Sequence, residues 1–300
     1  MIQRRYFLRL SAAGAACLLW RDEALELAAG GRGIRALRVQ PQRARSRTVF
    51  DRLGSAYEIE PLAGQVVERG PLGLPLRVIG SPGSGPEQLD HPIALAFGPD
   101  DELLVLDHGN SRVQVYSRAG KHLRQLGCLG GGPDELRKPR DHTLDREGRL
   151  WVADTLNNRI QVLDLLGKGR ARFGTPGDGL GQLNGPCALA FAPDGLLHVL
   201  DAGNRRVQVF SQSGVAQGSY GEGLLEDPSS LAIAADGMAY LSDEQRGTLE
   251  VFGRDGSHKR QLRPCFAEGS AAIPQQLCFT PDGELHVDAR REGRRAGAST

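Results

Sequence analysis

Three stretches carry a carboxylate, a carboxamide and a guanidinium in one fixed order: Asp107-x-x-Asn110-x-Arg112, Asp154-x-x-Asn157-x-Arg159 and Asp201-x-x-Asn204-x-Arg206. The carboxylate can accept hydrogen bonds from turn amides, the asparagine can take a left-handed turn conformation, and the arginine can pair with a carboxylate. A ligand site needs asymmetry, whereas this set returns unchanged, so its expected role is structural. Groups that do not repeat are better candidates for binding: Arg140, Asp141 and His142 in a row, with Ser229 and Gln275 further on. Adjacent strand residues point to opposite faces, so Arg140, Asp141 and His142 are not expected to meet one ligand together. His142 could be a base or a metal ligand. A buried histidine bonded to a neighbouring strand is the favoured reading, because one imidazole makes no metal site. Gly-x-Ser-x-Gly, His-Glu-x-x-His, phosphate-loop and dinucleotide fingerprints are absent. No catalytic residue and no metal-ligand set is assigned.

The elements that must position these groups follow from a repeat. Each Asp-x-x-Asn-x-Arg follows a proline, and Pro92, Pro139 and Pro186 are 47 residues apart. A fixed period of this size means one supersecondary unit that buries its faces only against neighbours. Within a period the apolar runs are short and bounded by Gly, Pro, Asp or Asn, as in Ile93-Ala94-Leu95-Ala96-Phe97 and Val113-Gln114-Val115-Tyr116. Such runs read as strands joined by tight turns, and four strands per repeat is the blade of a β-propeller. Weaker copies begin at Pro228 and Pro274. A hidden copy near Arg45 emerges when residues 48–54 are set against residues 142–148. The expected fold is therefore an all-β, six-bladed propeller of four-stranded blades starting near Arg45, Pro92, Pro139, Pro186, Pro228 and Pro274. The last copy has no Val-Gln-Val-Phe strand after Asp288. Residues 34–39 are predicted to complete a sixth blade shared between the termini, with a truncated last blade as the competing reading.

In a propeller the strand just after each starting proline lines the central channel. That places Arg140, Asp141, His142, Ser229 and Gln275 there as binding candidates. Tyr57, Leu104, Trp151, His198, Tyr240 and His286 share one register on the second strands and are expected to pack between blades.

The pattern P-x-x-[LI]-A-[VF]…D-G…V-x-D-x-x-N-x-R-[VI]-Q-V-[FYL] resembles the NHL-repeat β-propellers over residues 45–288, most specifically in the copies starting at Pro92, Pro139 and Pro186. The resemblance implies a six-bladed ring and, in most members, a binding platform. Relatives of the same shape include peptidyl-hydroxyglycine amidating lyases and sugar-lactone hydrolases that hold a metal in the channel. Fold alone does not choose between these.

Residues 3–9, Gln-Arg-Arg-Tyr-Phe-Leu-Arg, resemble a twin-arginine export signal, and the apolar stretch 10–20 behind them is too short to span a bilayer. The chain is accordingly divided into a signal segment, 1–30, and a propeller, 31–300, in the periplasm or outside the cell. Tethering through a lipid on Cys17 is a minor reading. Residues 1–50 hold ten Arg and three acids, and the remainder carries a net charge of −6. An acidic propeller without a basic stripe is not expected to bind nucleic acid. Cys128, Cys187, Cys265 and Cys278 occupy unrelated places in the repeats, and a Cys265–Cys278 disulfide is not expected. The functional expectation is an exported, monomeric, non-catalytic scaffold without cofactor that binds a protein or a small ligand. The alternative is a metal-dependent lyase or lactonase with its site in the channel.

Overall fold

The computed structural model describes residues 48–266, 269–280 and 283–291, and the backbone alone of 6–7, 17–18, 25–26 and 37–41. Four antiparallel strands make the second sheet: Pro92–Phe97, Leu103–Asp107, Arg112–Tyr116 and His122–Leu126. The third and fourth sheets repeat it from Asp141–Leu144 and Pro186–Phe191, the fifth from Pro228–Ile233, and the first from Thr48–Phe50. Second and third strands in blades 2 and 3 are buried along their whole length because sheets cover both of their faces. The second strands therefore read as continuous apolar runs, the third strands bury Arg and Gln between their apolar residues, and an outer strand such as His122–Leu126 alternates with solvent. The turn after each inner strand needs a positive φ, supplied by Gly148 (77°) and Gly195 (86°); in the second blade Asp101 takes it at 56°.

Apolar cores lie between successive sheets. Odd and even residues of one strand face opposite neighbours: Leu104 and Leu106 pack toward Leu150 and Val152, whereas Leu103 and Val105 pack toward Tyr57 and Ile59. No blade buries its own faces, which is the physical content of the repeat. Large rings lock the wedges together. Tyr57 meets Phe97, Trp151 meets Phe191 and Tyr240 meets Phe279, edge to face with centroids 5.1, 5.3 and 5.7 Å apart. In each pair the second-strand residue reaches the inner strand of the next sheet.

The protein is an all-β propeller, with five complete four-stranded blades rather than the six expected. The sixth repeat forms a hairpin, Ala272–Phe279 with Leu285–Arg291. Among the described residues, no third antiparallel strand of this repeat follows the hairpin. Leu37–Pro41 runs along the hairpin instead, parallel to it, with Leu37 opposite Leu285 and Pro41 opposite Ala289. The two-residue strands Leu25–Glu26 and Tyr6–Phe7 extend this sheet, and Cys17–Leu18 lies beside Arg263 and Pro264. Residues 34–36 and the rest of the signal-like segment lie outside the described residues. His286 meets Phe50 of the first sheet at 5.8 Å, so first and last repeats touch. Among the described residues, no helix is long and apolar enough to cross a membrane, and no disulfide joins the cysteines.

Candidate functional site

The repeated triads are latches. Asp107 Oδ2 accepts Arg112 Nε and Asn110 Nδ2, both at 2.8 Å, while its Oδ1 accepts the Asp90 amide at 2.7 Å. Arg112 also donates to the carbonyls of Gly85 and Gln88, and Asn110 to that of Gly83. The glycine-rich linker from the preceding blade is thus tied to the turn. Asp154, Asn157 and Arg159 do the same for the carbonyls of residues 130–132 and 135, and Asp201, Asn204 and Arg206 for those of 177, 179 and 182. Burial pushes the Asp154 carboxyl up, against the pull of Asn157, the Arg137 amide and Arg159. One detail departs from the sequence reading. The left-handed residue is the one after the asparagine, namely Ser111, Asn158 and Arg205 at 55°, 50° and 52°. The asparagine stays in the preceding turn because its side chain is needed on the linker carbonyl.

A cavity of about 350 Å³ opens at the axis, where the inner strands begin. Arg140, Asp141 and Ser229 line it, joined by Ile93, His108, Cys187, Ala188, Ser230 and Gln276. His142 and Gln275 do not. His142 is buried in the sheet, and Gln275 donates to Glu244 at 3.0 Å. A bulge follows four of the starting prolines. Register shifts between Pro92 and Ala94, Pro186 and Ala188, Pro228 and Ser230, and Pro274 and Gln276. Two residues then oppose one, and both can face the axis. In the third blade Arg140 N donates to Ala153 O, and Asp141 pairs with the same Ala153. Simple alternation therefore fails here, and Arg140 and Asp141 share one cavity. Ser230 and Gln276 enter it for the same reason. His108 follows the latch Asp107, and its Nδ1 donates to Pro139 O at 3.0 Å, which leaves Nε2 as an acceptor. Thr155, at the matching place one blade later, makes the same bond to Pro186 O.

Several lining groups are spent on the ring itself. Asp141 Oδ1 accepts the His142 amide at 2.8 Å and Oδ2 the Leu189 amide at 3.0 Å, which stitches the third blade to the fourth. Ser230 Oγ accepts the Leu277 amide at 3.1 Å, and Ser229 bonds Ser242 Oγ and Gln275 O at 3.0 and 3.2 Å. Burial pushes the His108 imidazole below its ordinary range, helped by the charges of Lys138, Arg140 and His91. His108 is neutral near pH 7 and supplies hydrogen bonding without charge.

These groups do not fit a divalent metal. Zinc wants three convergent nitrogen, sulfur or carboxylate ligands, and hard cations want several carboxylates or carbonyls. The cavity offers one carboxylate, with an amide on each oxygen. Among the described residues, no three His, Cys, Asp or Glu side chains gather around a point. The cavity serines bond other groups, Ser229 to Ser242 Oγ and Gln275 O and Ser230 to the Leu277 amide, and not a histidine or carboxylate base. The arrangement can hold a polar molecule through one guanidinium, hydroxyls and an amide.

Ring, meander sheets and axial cavity define a β-propeller. Residues 89–116 match the NHL repeat family, so one repeat of this propeller is similar to that family. No curated protein matches the sequence. Solved structures with the same fold include a streptogramin B lyase, at TM-score 0.62 and 15% identity over 79% of this chain and 74% of that one. A catalytically inactive virginiamycin B lyase from Staphylococcus aureus with quinupristin aligns at 0.64 and 15% over 94% and 91%. A gluconolactonase from Xanthomonas campestris aligns at 0.57 and 17% over 79% and 80%. At these identities the likeness is one of fold.

Proposed function

We propose that the protein is an exported, non-catalytic binding propeller that holds a small ligand at the mouth of its central channel. One observation carries this reading. Polar groups there are engaged in joining blades: Asp141, Ser229 and Ser230 bond the next sheet, His108 Nδ1 is held on Pro139 O and Cys187 Sγ lies 4.0 Å from Pro228 O, which leaves a lined cavity without a metal-ligand set. The twin-arginine-like residues Arg4 and Arg5 support export, and cell fractionation with both changed to Lys tests it. The ring is taken as six units closed by the termini, a reading supported by the parallel strand Leu37–Pro41 and the Phe50–His286 contact. It acts as a monomer without nucleic acid.

The second reading is a metal-dependent lyase or lactonase, and the two lyases and the gluconolactonase among similar folds favour it. Metal analysis of the purified protein, with hydrolysis of gluconolactone assayed before and after a chelator, separates the two. Binding without turnover, and no stoichiometric metal, is expected. A stoichiometric divalent metal with chelator-sensitive turnover would overturn the scaffold reading.

A further inference from the structure

We infer that the channel mouth binds a small organic carboxylate, with the guanidinium of Arg140 as its counter-charge. The inference rests on the ligand-binding reading above and names the ligand class of that site. Its starting point is how this chain treats its arginines. Arg112, Arg159 and Arg206 are paired with buried carboxylates, Arg124 with Glu102, Arg149 with Asp145 and Arg118 with Asp51. Arg140 is half-buried on the cavity wall, and among the described residues no carboxylate lies within ion-pair distance of it. Asp141 beside it is turned to the amides of His142 and Leu189. A guanidinium withdrawn partly from water and left without an anion is unfavourable unless a ligand supplies one.

The repeat gives a second, independent reason. The residues that match Arg140 directly after the other starting prolines are Ile93, Cys187, Ser229 and Gln275. Four blades close without a cation at this place, so the fold does not require one. Where an otherwise symmetric ring departs from its own pattern inside a cavity, the departure points to the ligand.

The other lining groups narrow the class. A guanidinium presents two parallel donors that match the plane of a carboxylate. Lys138, whose Nζ is held on Gly109 O, adds positive charge at the same end without occupying the cavity. Ile93 and Ala188 offer apolar wall for a short carbon body, and Gln276 offers a side-chain amide. A compact inorganic anion would use the charge but neither the plane nor the wall.

Butyrate and benzoate, their neutral isosteres butyramide and benzamide, and inorganic phosphate are the probes, read by calorimetric titration and thermal shift on the full chain. Carboxylates are expected to bind at least tenfold tighter than the amides and tighter than phosphate. Arg140→Gln should remove that preference, and Arg140→Lys should restore part of it, with melting curves confirming that both variants fold. Equal binding of amides and carboxylates, or a preference that survives Arg140→Gln, overturns the inference while leaving a ligand-binding channel. Phosphate binding as tightly as the carboxylates overturns the carboxylate assignment. If no probe binds, the inference falls, and metal content with turnover then decides the broader reading separately.

Discussion

Asp154 and Arg159 form an ion pair of 2.7 Å in which the carboxylate is fully buried and the guanidinium nearly so. The Arg159 guanidinium goes on to the carbonyls of Gly131, Gly132 and Glu135 in the linker before its own blade. One pair therefore holds the strand end, the turn and the incoming chain.

Asp154→Ala is expected to be severe. It removes the acceptor of Arg159, Asn157 and the Arg137 amide together and leaves a cation buried without its charge partner. Breaking a buried pair from one side costs about 3–5 kcal/mol. Asn157→Ala, which loses neutral hydrogen bonds only, should cost about 1 kcal/mol. Urea unfolding midpoints give both values. Equal losses for the two variants would show that the latch works through hydrogen bonding and not through charge.

The latch marks how far the sequence was legible. Asp, Asn and Arg repeat at fixed spacing, and so does the proline before them, so blade order and strand order could be read directly. The left-handed residue after Asn110, Asn157 and Asn204 carries no common side chain, being Ser111, Asn158 and Arg205, and left no compositional mark. Bulges were equally silent. A one-residue shift after Pro274 brought Gln276 into the channel, while Gln275 is drawn off to Glu244. Arg140, Asp141 and Ser229 stood out because they break the repeat, whereas His108 belongs to the latch turn and its reach to Pro139 is a tertiary fact. The incomplete sixth blade was visible as a missing strand, but the parallel direction of its substitute was not.

The fifth blade writes the same strand with a different buried group. Glu250, on the third strand, occupies the place of Gln114, Gln161 and Gln208 and is almost fully buried. It accepts from Thr248 at 2.8 Å, Gln261 at 2.6 Å and His258 at 2.8 Å. In the second blade His122 reaches Gln114 Oε1 at the same 2.8 Å, so a carboxamide already serves this geometry. Glu250→Gln should therefore cost less than about 1 kcal/mol, while Glu250→Ala, which strands three donors, should cost about 2 kcal/mol or more. A Gln variant as damaging as the Ala variant would mean that the charge itself is required.

Stability should fall in mild acid through His198. The ring is buried against Tyr220, with Nδ1 2.9 Å from the phenol oxygen, and burial pushes its pKa down to about 4. The unfolded chain has the ordinary value of about 6.5 and so binds more protons between those limits. Stability from this residue is then complete above about pH 6.5 and is lost as pH falls toward 4. At pH 5 the loss is about 2 kcal/mol relative to pH 7.5. Leu104 fills the equivalent place in the second blade, so His198→Leu should fold and lack this component. Denaturation of both proteins at the two pH values isolates it, and identical pH dependence would rule it out.

The parallel strand Leu37–Pro41 makes the last prediction. It covers Leu285–Ala289, whose side chains are buried and whose outer edge would otherwise present unpaired backbone groups to water. An open edge weakens the hairpin that carries His286 onto Phe50, and with it the joint between first and last repeats. Removing residues 1–30 leaves this strand in place and should shift the melting midpoint by no more than about 2 °C. Removing residues 1–47 takes the strand away and should lower the midpoint by about 5 °C or more, with dimerisation through the exposed edge as a second symptom. Calorimetry and light scattering on the two truncations read both effects. Equal midpoints would mean that the hairpin closes the ring by itself and that the N-terminal strand is only an addition to its edge.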